Sequence, residues 1–315
     1  MANYNNGKYI QKAIESVINQ TFYDWELLIM DDGSKDDSIA RINEYLEDDR
    51  ITLFKNSVNR GKVPSLIELV DNSEADIFGI LDSDDTLSKD AVSIMYEQHI
   101  KYIDRGFIHS QFMFCDNNLN PICEGFCRPI PSGETNLRSI YSSAFRTFKK
   151  DYYRMTEGYN EKFIYGQDRD IVFKMEEVTN LLFVNKVLYK HRILSDGISN
   201  NPKKRLLCHL LLIEAKYDAY CRRKGTKTSN LSNIEMSIEL FIASIINLRL
   251  NRKKDFFYYI KLSLNLNPFL FLNIMHYLIK KIFKRVKNLL IKNSSGHQFI
   301  STKVDEEIRK QLRSI

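Results

Sequence analysis

Ile77-Phe78-Gly79-Ile80-Leu81-Asp82-Ser83-Asp84-Asp85 is an apolar run that stops on a cluster of carboxylates. The run has strand length and no polar alternation, the pattern of a strand buried on both faces. Three carboxylates within four residues repel one another unless a cation or hydrogen-bond donors offset their charge. A divalent ion with oxygen ligands does so, and a nucleotide diphosphate completes its coordination shell. The plainer reading is a solvated turn, with Asp85 or Ser88 capping the helix that follows. The position of the cluster, at the end of an apolar strand, favours the metal.

The same arrangement occurs upstream. Trp25-Glu26-Leu27-Leu28-Ile29-Met30 is a second apolar run and ends on Asp31-Asp32-Gly33-Ser34. Its plain reading is a strand-to-helix turn with Gly33 at positive φ. Its functional reading is a carboxylate accepting the imide hydrogen of uracil or a ribose hydroxyl. Helices are expected at 7–21, 38–46, 63–70 and 89–104, with a further strand at 51–55. Strands alternating with helices imply βαβ units and a parallel sheet, whose ligands bind at the carboxyl ends of the strands. Both acidic turns then face one crevice. Asn59-Arg60-Gly61-Lys62 lies on the loop after strand 51–55. Arg60 and Lys62 are either counter-charges for a diphosphate or members of a solvated basic loop.

Tyr165-Gly166-Gln167-Asp168-Arg169-Asp170 precedes an amphipathic helix carrying Ile171, Phe173, Met175 and Val178. Asp168 or Asp170 at a helix start is an ordinary favourable charge. A carboxylate so placed can also take the proton of an attacking hydroxyl.

With 315 residues, a net charge of +6 and 43% hydrophobic residues, the composition is that of a soluble globular protein. The five cysteines are odd in number and form no CxxC pair, as expected of reduced thiols in a reducing compartment. No signal peptide is read at the start, and the apolar run 269–279 is broken by Asn273 and His276. A cytoplasmic protein is expected. From about residue 203 the pattern becomes helical, at 205–220, 235–250 and 255–264, which divides the chain into 1–204 and 205–315. Leu278, Ile279, Ile282, Phe283, Val286, Leu289 and Leu290 form an apolar stripe among lysines and arginines. Segment 278–292 suits either an anionic membrane surface on the cytoplasmic face of the inner membrane or packing on the protein. Nucleic-acid binding is set aside, because no recognition module accompanies the charge.

The order of these motifs carries a resemblance. Asn3-Tyr4-Asn5-Asn6-Gly7-Lys8-Tyr9-Ile10, then Ser16 to Phe22, Trp25 to Ser34 and Leu81-Asp82-Ser83-Asp84-Asp85 resemble the family 2 glycosyltransferases and their DxD motif. Gln167-Asp168 with Lys174 and Glu176-Glu177-Val178 resembles that family's later ED segment. The resemblance implies a GT-A fold, an α/β Rossmann-like nucleotide-sugar-binding domain with a mostly parallel sheet, followed here by a helical carboxyl-terminal region. It implies a nucleotide-sugar donor, a glycan or lipid-linked acceptor and Mn²⁺ or Mg²⁺. By position, Tyr4 packs on the base, Asp32 binds uracil and Asp82 contacts the ribose. Asp84, with Asp85, holds the metal, and Asp168 is the base of an inverting displacement in cell-surface polysaccharide synthesis.

The sequence departs from the family at three places. The apolar strand that normally precedes Asn3 is missing, Gln167 replaces the usual glutamate, and Leu194 stands where a diphosphate-site histidine is expected. His191 or Arg192 is the candidate substitute. Two rival readings follow: a degenerate transferase that binds nucleotide as a scaffold, and a nucleotidyltransferase. Against the latter, the glycine-rich amino-terminal loop of many such enzymes is absent.

Overall fold

The computed structural model describes residues 1–194, 201–228, 230–270 and 272. Two compact units divide the chain, one of Met1–Leu194 with Glu214–Asn230, the other of Ser195–Ile213 with Leu231–Ile315.

The first unit begins with β1 (Ala2–Asn3), α1 (Gly7–Ile18), β2 (Leu27–Asp31), α2 (Ser38–Asn43), β3 (Ile51–Lys55) and α3 (Lys62–Asn72). In α1 the buried Ile10, Ala13, Ile14 and Val17 recur at helical spacing, so one face is turned to the sheet. β1, β2 and β3 form a parallel three-stranded sheet, with Leu27 to Asp31 opposite Ile51 to Lys55. The region expected to lack its first strand thus supplies a two-residue β1, whose Ala2 and Asn3 lie opposite Met30 and Asp31.

The chain continues through β4 (Ile77–Ile80), β5 (Thr86–Leu87), α4 (Ala91–Lys101), β6 (Phe107–Cys115), β7 (Pro121–Glu124), β8 (Arg146–Lys149), α5 (Lys150–Arg154), α6 (Gln167–Val178) and β9 (Leu181–Arg192). These strands form a second sheet in the order β4-β8-β6-β9-β5, with β7 paired to β6. Only β6 and β9 run parallel in it; the other pairs are antiparallel. No hydrogen-bonded pairing joins the two sheets among the described residues. A cavity of about 1070 Å³ lies against both, lined by Leu27 and Leu28 of β2, Ile77 and Ile80 of β4, and Met95 and His99 of α4.

The later half of α7 (Pro202–Arg222) belongs to the first unit. Arg222 pairs with Glu177 at 2.9 Å, and the buried Arg223 pairs with Glu176 at 3.0 Å and Glu177 at 3.2 Å. Arg223 also donates to the Phe173 carbonyl and to Thr135, so a buried charge has a full set of partners.

In the second unit, α8 (Asn233–Arg249) opens on a complete capping box between Ser232 and Glu235. It pairs with α9 (Lys253–Leu266) through a stripe that includes small residues, where Ser263 Oγ donates to the Ser237 carbonyl at 2.5 Å. No helix among the described residues is long and apolar enough to cross a membrane. The amphipathic segment 278–292 lies outside the described residues.

Candidate active site

The two acidic turns stand at the ends of β2 and β4, and the loop after β3 joins them. Asp32 accepts hydrogen bonds from Asn56 Nδ2 (2.8 Å), Arg60 N (2.9 Å) and Gly61 N (2.7 Å). The next residue, Lys62, opens α3 and reaches Asp82 Oδ1 at 2.6 Å. Gly33 has a φ of 76°, and a Cβ there would meet the Val58 carbonyl carbon at 2.9 Å, so only glycine lets this loop approach. On the other side, Asn5 N donates to Ser34 Oγ, Lys35 N donates to Asn5 Oδ1, and Asn6 Nδ2 donates to Ser83 Oγ. Residues 3–6, 31–35, 56–62 and 82–85 therefore share one rim.

The three acids of the second cluster have different fates. Asp85 is 1% exposed and turned inward by β9. Its Oδ2 accepts from Tyr189 Oη at 2.7 Å and lies 3.2 Å from His191 Nδ1, while Oδ1 accepts from Arg192 N at 2.7 Å. The pairing of Thr86 and Leu87 with Lys190 and Tyr189 brings β9 to this place. Asp82 is paired with Lys62, both side chains about a third exposed, and the contact is of modest strength. Burial would raise the Asp82 pKa, but Lys62, Arg146 and His191 outweigh it and hold the carboxyl well below its usual range. Among the described residues no ion pair engages the Asp84 carboxylate. Burial, then Asp85 and Asp82, push its pKa up to about 7.

Asp168 lies in the first turn of α6, which starts after Gly166 in the left-handed conformation at φ 77°. Its Oδ2 accepts from Arg146 Nη1 at 3.1 Å and stands 3.6 Å from Arg169 Nε. Burial works to raise its pKa, but Arg169, Arg146 and Lys62 together hold it below the usual carboxylate range. Asp170, the other candidate in this segment, is buried in an ion pair with Lys174 at 2.9 Å and takes no part in the rim.

Arg146 joins Asp168 to the acidic turn. It lies opposite Ile80 in the β4–β8 ladder, two residues before Asp82. Nothing in the sequence singled it out, because a lone arginine in Phe145-Arg146-Thr147-Phe148 belongs to no motif and the spacing there says little. Tyr189, which also receives the Asp82 N–H at 3.2 Å, was equally hidden.

Comparison with known proteins places this geometry. Residues 1–148 match the family described as Glycosyl transferase family 2. This stretch has the sequence pattern of a family 2 glycosyltransferase domain. A chondroitin synthase of Escherichia coli is 32% identical over 196 residues, covering 62% of this chain and 29% of that protein. The chain thus matches less than a third of that relative's length. The UDP-Glc:alpha-D-GlcNAc-diphosphoundecaprenol beta-1,3-glucosyltransferase WfgD of Escherichia coli is 24% identical over 208 residues, covering 65% of this chain and 80% of that protein. The crystal structure of S. aureus TarS 1-349 in complex with UDP-GlcNAc superimposes with a TM-score of 0.63 at 12% identity, covering 84% of this chain and 79% of that one. The likeness establishes the GT-A fold.

The first unit brings Asp32, Asp82, Asp84, Lys62 and Asp168 to one face, but two expected residues are placed differently from the rest. The Arg60 guanidinium pairs with Glu68 at 3.0 Å, so only its backbone N–H serves the site. Asp85 has its oxygens engaged by β9, which leaves Asp84 as the carboxylate with charge to be met. Asp32 is also satisfied by protein donors, and a base that took its carboxylate would displace one of the hydrogen bonds from loop 56–61. Tyr4 is 44% exposed beside these turns. Of the two residues considered for the histidine role, Arg192 is buried, holds the Asp84 and Asn117 carbonyls and lies over the Tyr9 ring at 4.7 Å. His191 stands against the cluster; burial opposes its charge, but Asp85 outweighs this and raises its pKa.

Proposed function

We propose that this chain is an inverting glycosyltransferase that moves a sugar from a UDP-sugar to a hydroxyl of a glycan or lipid-linked acceptor in cell-surface polysaccharide synthesis. The carrying observation is the union of two chemistries on one rim: the Asp82–Asp85 turn for the donor diphosphate, and Asp168 for the acceptor proton. The names of the relatives support the donor class, since one uses UDP-Glc and a fold neighbour binds UDP-GlcNAc. One name also supports the acceptor class, a diphosphoundecaprenol-linked sugar, and another supports polysaccharide synthesis, being that of a chondroitin synthase.

In this reading Tyr4 packs on the base and the Asp32 loop receives the uracil edge. Asp82, kept ionised by Lys62, meets the ribose. Asp84 fits a divalent ion such as Mn²⁺ or Mg²⁺: it is a hard oxygen ligand whose ionisation is opposed first by burial and then by Asp85 and Asp82, and a cation would offset both. No three histidine, cysteine, aspartate or glutamate side chains among the described residues are placed to hold a metal by themselves, so donor oxygens would complete the shell. When bound, such an ion offsets charge developing on the leaving diphosphate. Asp85 anchors the turn to β9 and so fixes where Asp84 points. Asp168 accepts the proton of the attacking hydroxyl. Attachment to an anionic membrane through 278–292 belongs to the same reading and rests on the sequence pattern alone.

The test is nucleotide selectivity, measured by calorimetric titration with Mn²⁺ present. UDP is expected to bind at least about tenfold more tightly than GDP or CMP, the equivalent of about 1.4 kcal/mol. Equal binding of all three would contradict the uridine assignment.

A further inference from the structure

We propose that Arg146 is the positioning residue of the base: fixed in β8, its guanidinium holds Asp168 by Oδ2 and leaves Oδ1 for the acceptor hydroxyl. The inference rests on the reading of Asp168 as base and adds a residue that neither the motif pattern nor the resemblance supplies.

Three observations carry it. First, the contact is directed: Arg146 Nη1 donates to Oδ2 at 3.1 Å, and no hydrogen bond engages Oδ1 among the described residues. Second, the arginine is carried by a fixed strand and enclosed. The Arg146 side chain is 11% exposed and leaves a strand paired on both sides, with β4 through Ile80 and with β6 through His109. Asp168 stands at the start of a helix, where a carboxylate otherwise has several rotamers open to it. Third, Arg146 faces both parts of the rim. The charges of Asp168 and Asp82 both act on it, which ties the base to the turn that holds the donor.

Asp168 is faced by Arg146 from β8, by Arg169 from its own helix and by Lys62 from α3. Tyr159, in the segment before α6, lies within the field of both Arg146 and Asp168. Arg169 is the less suited to orient the base, since it stands 3.6 Å from the same oxygen and spends Nη1 on the Ser142 carbonyl. Lys62 is held by Asp82. Arg146 is the cation that both touches Asp168 and is built into the sheet. Holding one oxygen lowers the proton affinity of the other, so orientation is gained at some cost in basicity.

The experiment compares the wild-type protein with Arg146→Gln, Arg146→Lys and Asp168→Asn. Aspartate carboxyl carbons are labelled with ¹³C, and the Asp168 signal is assigned by its loss in D168N. In the wild-type protein that signal is expected to titrate below the range of an ordinary aspartate. In R146Q it should titrate at least about one pH unit higher than in the wild type, and R146K should fall between the two because it restores charge without the planar guanidinium. Thermal unfolding and titration with UDP and Mn²⁺ confirm that each variant is folded and binds nucleotide. An Asp168 signal in folded R146Q that titrates as in the wild type overturns the inference, and so does R146K behaving as R146Q. Turnover separates this from the reading beneath it. If D168N transfers sugar as fast as wild type, Asp168 is not the base; if D168N is dead while R146Q keeps wild-type kcat, only the positioning role falls.

Discussion

Asp168→Asn is expected to lower sugar transfer by about a thousandfold, within the range a positioned general base contributes, while UDP binding changes by no more than a few-fold. The substitution keeps the shape of the side chain and an oxygen that can accept from Arg146, whose Nη1 stands 3.1 Å from Oδ2. What it removes is the lone pair on which the acceptor proton would arrive. The wild-type carboxylate is held below the usual pKa range, so it is ionised throughout the neutral region and its loss cannot be mimicked by a modest change of pH. Because Asp168 lies on α6 and the nucleotide would sit by Tyr4, Asp32 and Asp82, the effect should appear in kcat and leave the affinity for UDP almost untouched. Steady-state release of UDP and a calorimetric titration with UDP check the two halves separately. A variant that loses UDP binding in proportion to turnover would place Asp168 in donor binding instead.

Asp84→Asn is expected to cost a factor of about one hundred to one thousand in turnover, comparable to removing one strong electrostatic contact to the leaving group, and to abolish the response to added Mn²⁺. Two of the three clustered carboxylates already have roles within the protein: Asp82 is paired with Lys62, and Asp85 is held by Tyr189, His191 and the Arg192 N–H. Asp84 alone has its ionisation opposed by burial and by both neighbours, up to about 7. Neutralising it should therefore relieve repulsion and raise the thermal stability of the metal-free protein slightly while destroying metal-linked UDP binding. The opposite signs make the prediction specific. Asp85→Asn should instead destabilise the fold, since it sets an amide N–H₂ against donors from β9 that need an acceptor. Differential scanning calorimetry with and without Mn²⁺ distinguishes the two variants.

The parts of the fold that could be read in advance are those where burial is simple. β2 and β4 are short apolar runs, and each ends where its carboxylates begin, so hydrophobicity alone located both strands and both acidic turns. α1, α3 and α6 showed their apolar faces at helical spacing. β6 and β9 were not legible for a physical reason. β6 buries His109, Ser110 and Gln111 between its apolar residues, and β9 carries Asn185 and Lys186 through register shifts against β6. Neither has a clean period of two or a continuous apolar run. That gap hid Tyr189, which β9 supplies beside His191 and Arg192, the two residues the sequence did offer.

It also explains why the sequence could not rank the three acids. Asp84 and Asp85 are adjacent and chemically alike, and which one points inward is decided by the β5–β9 pairing, made with residues more than one hundred positions away. Arg60 shows the converse limit. Its type and its loop suited a diphosphate, but Glu68, on the helix that follows the loop, takes its side chain.

The central claim is that the acidic turn and Asp168 serve one transfer reaction. The most direct measurement is release of UDP from a panel of UDP-sugars, each incubated with the protein in Mn²⁺ and again in chelator. The account predicts release from one donor above the rest, dependent on the metal and lost in Asp84→Asn and Asp168→Asn. No release from any donor, together with no binding of UDP in the presence of Mn²⁺, would contradict it.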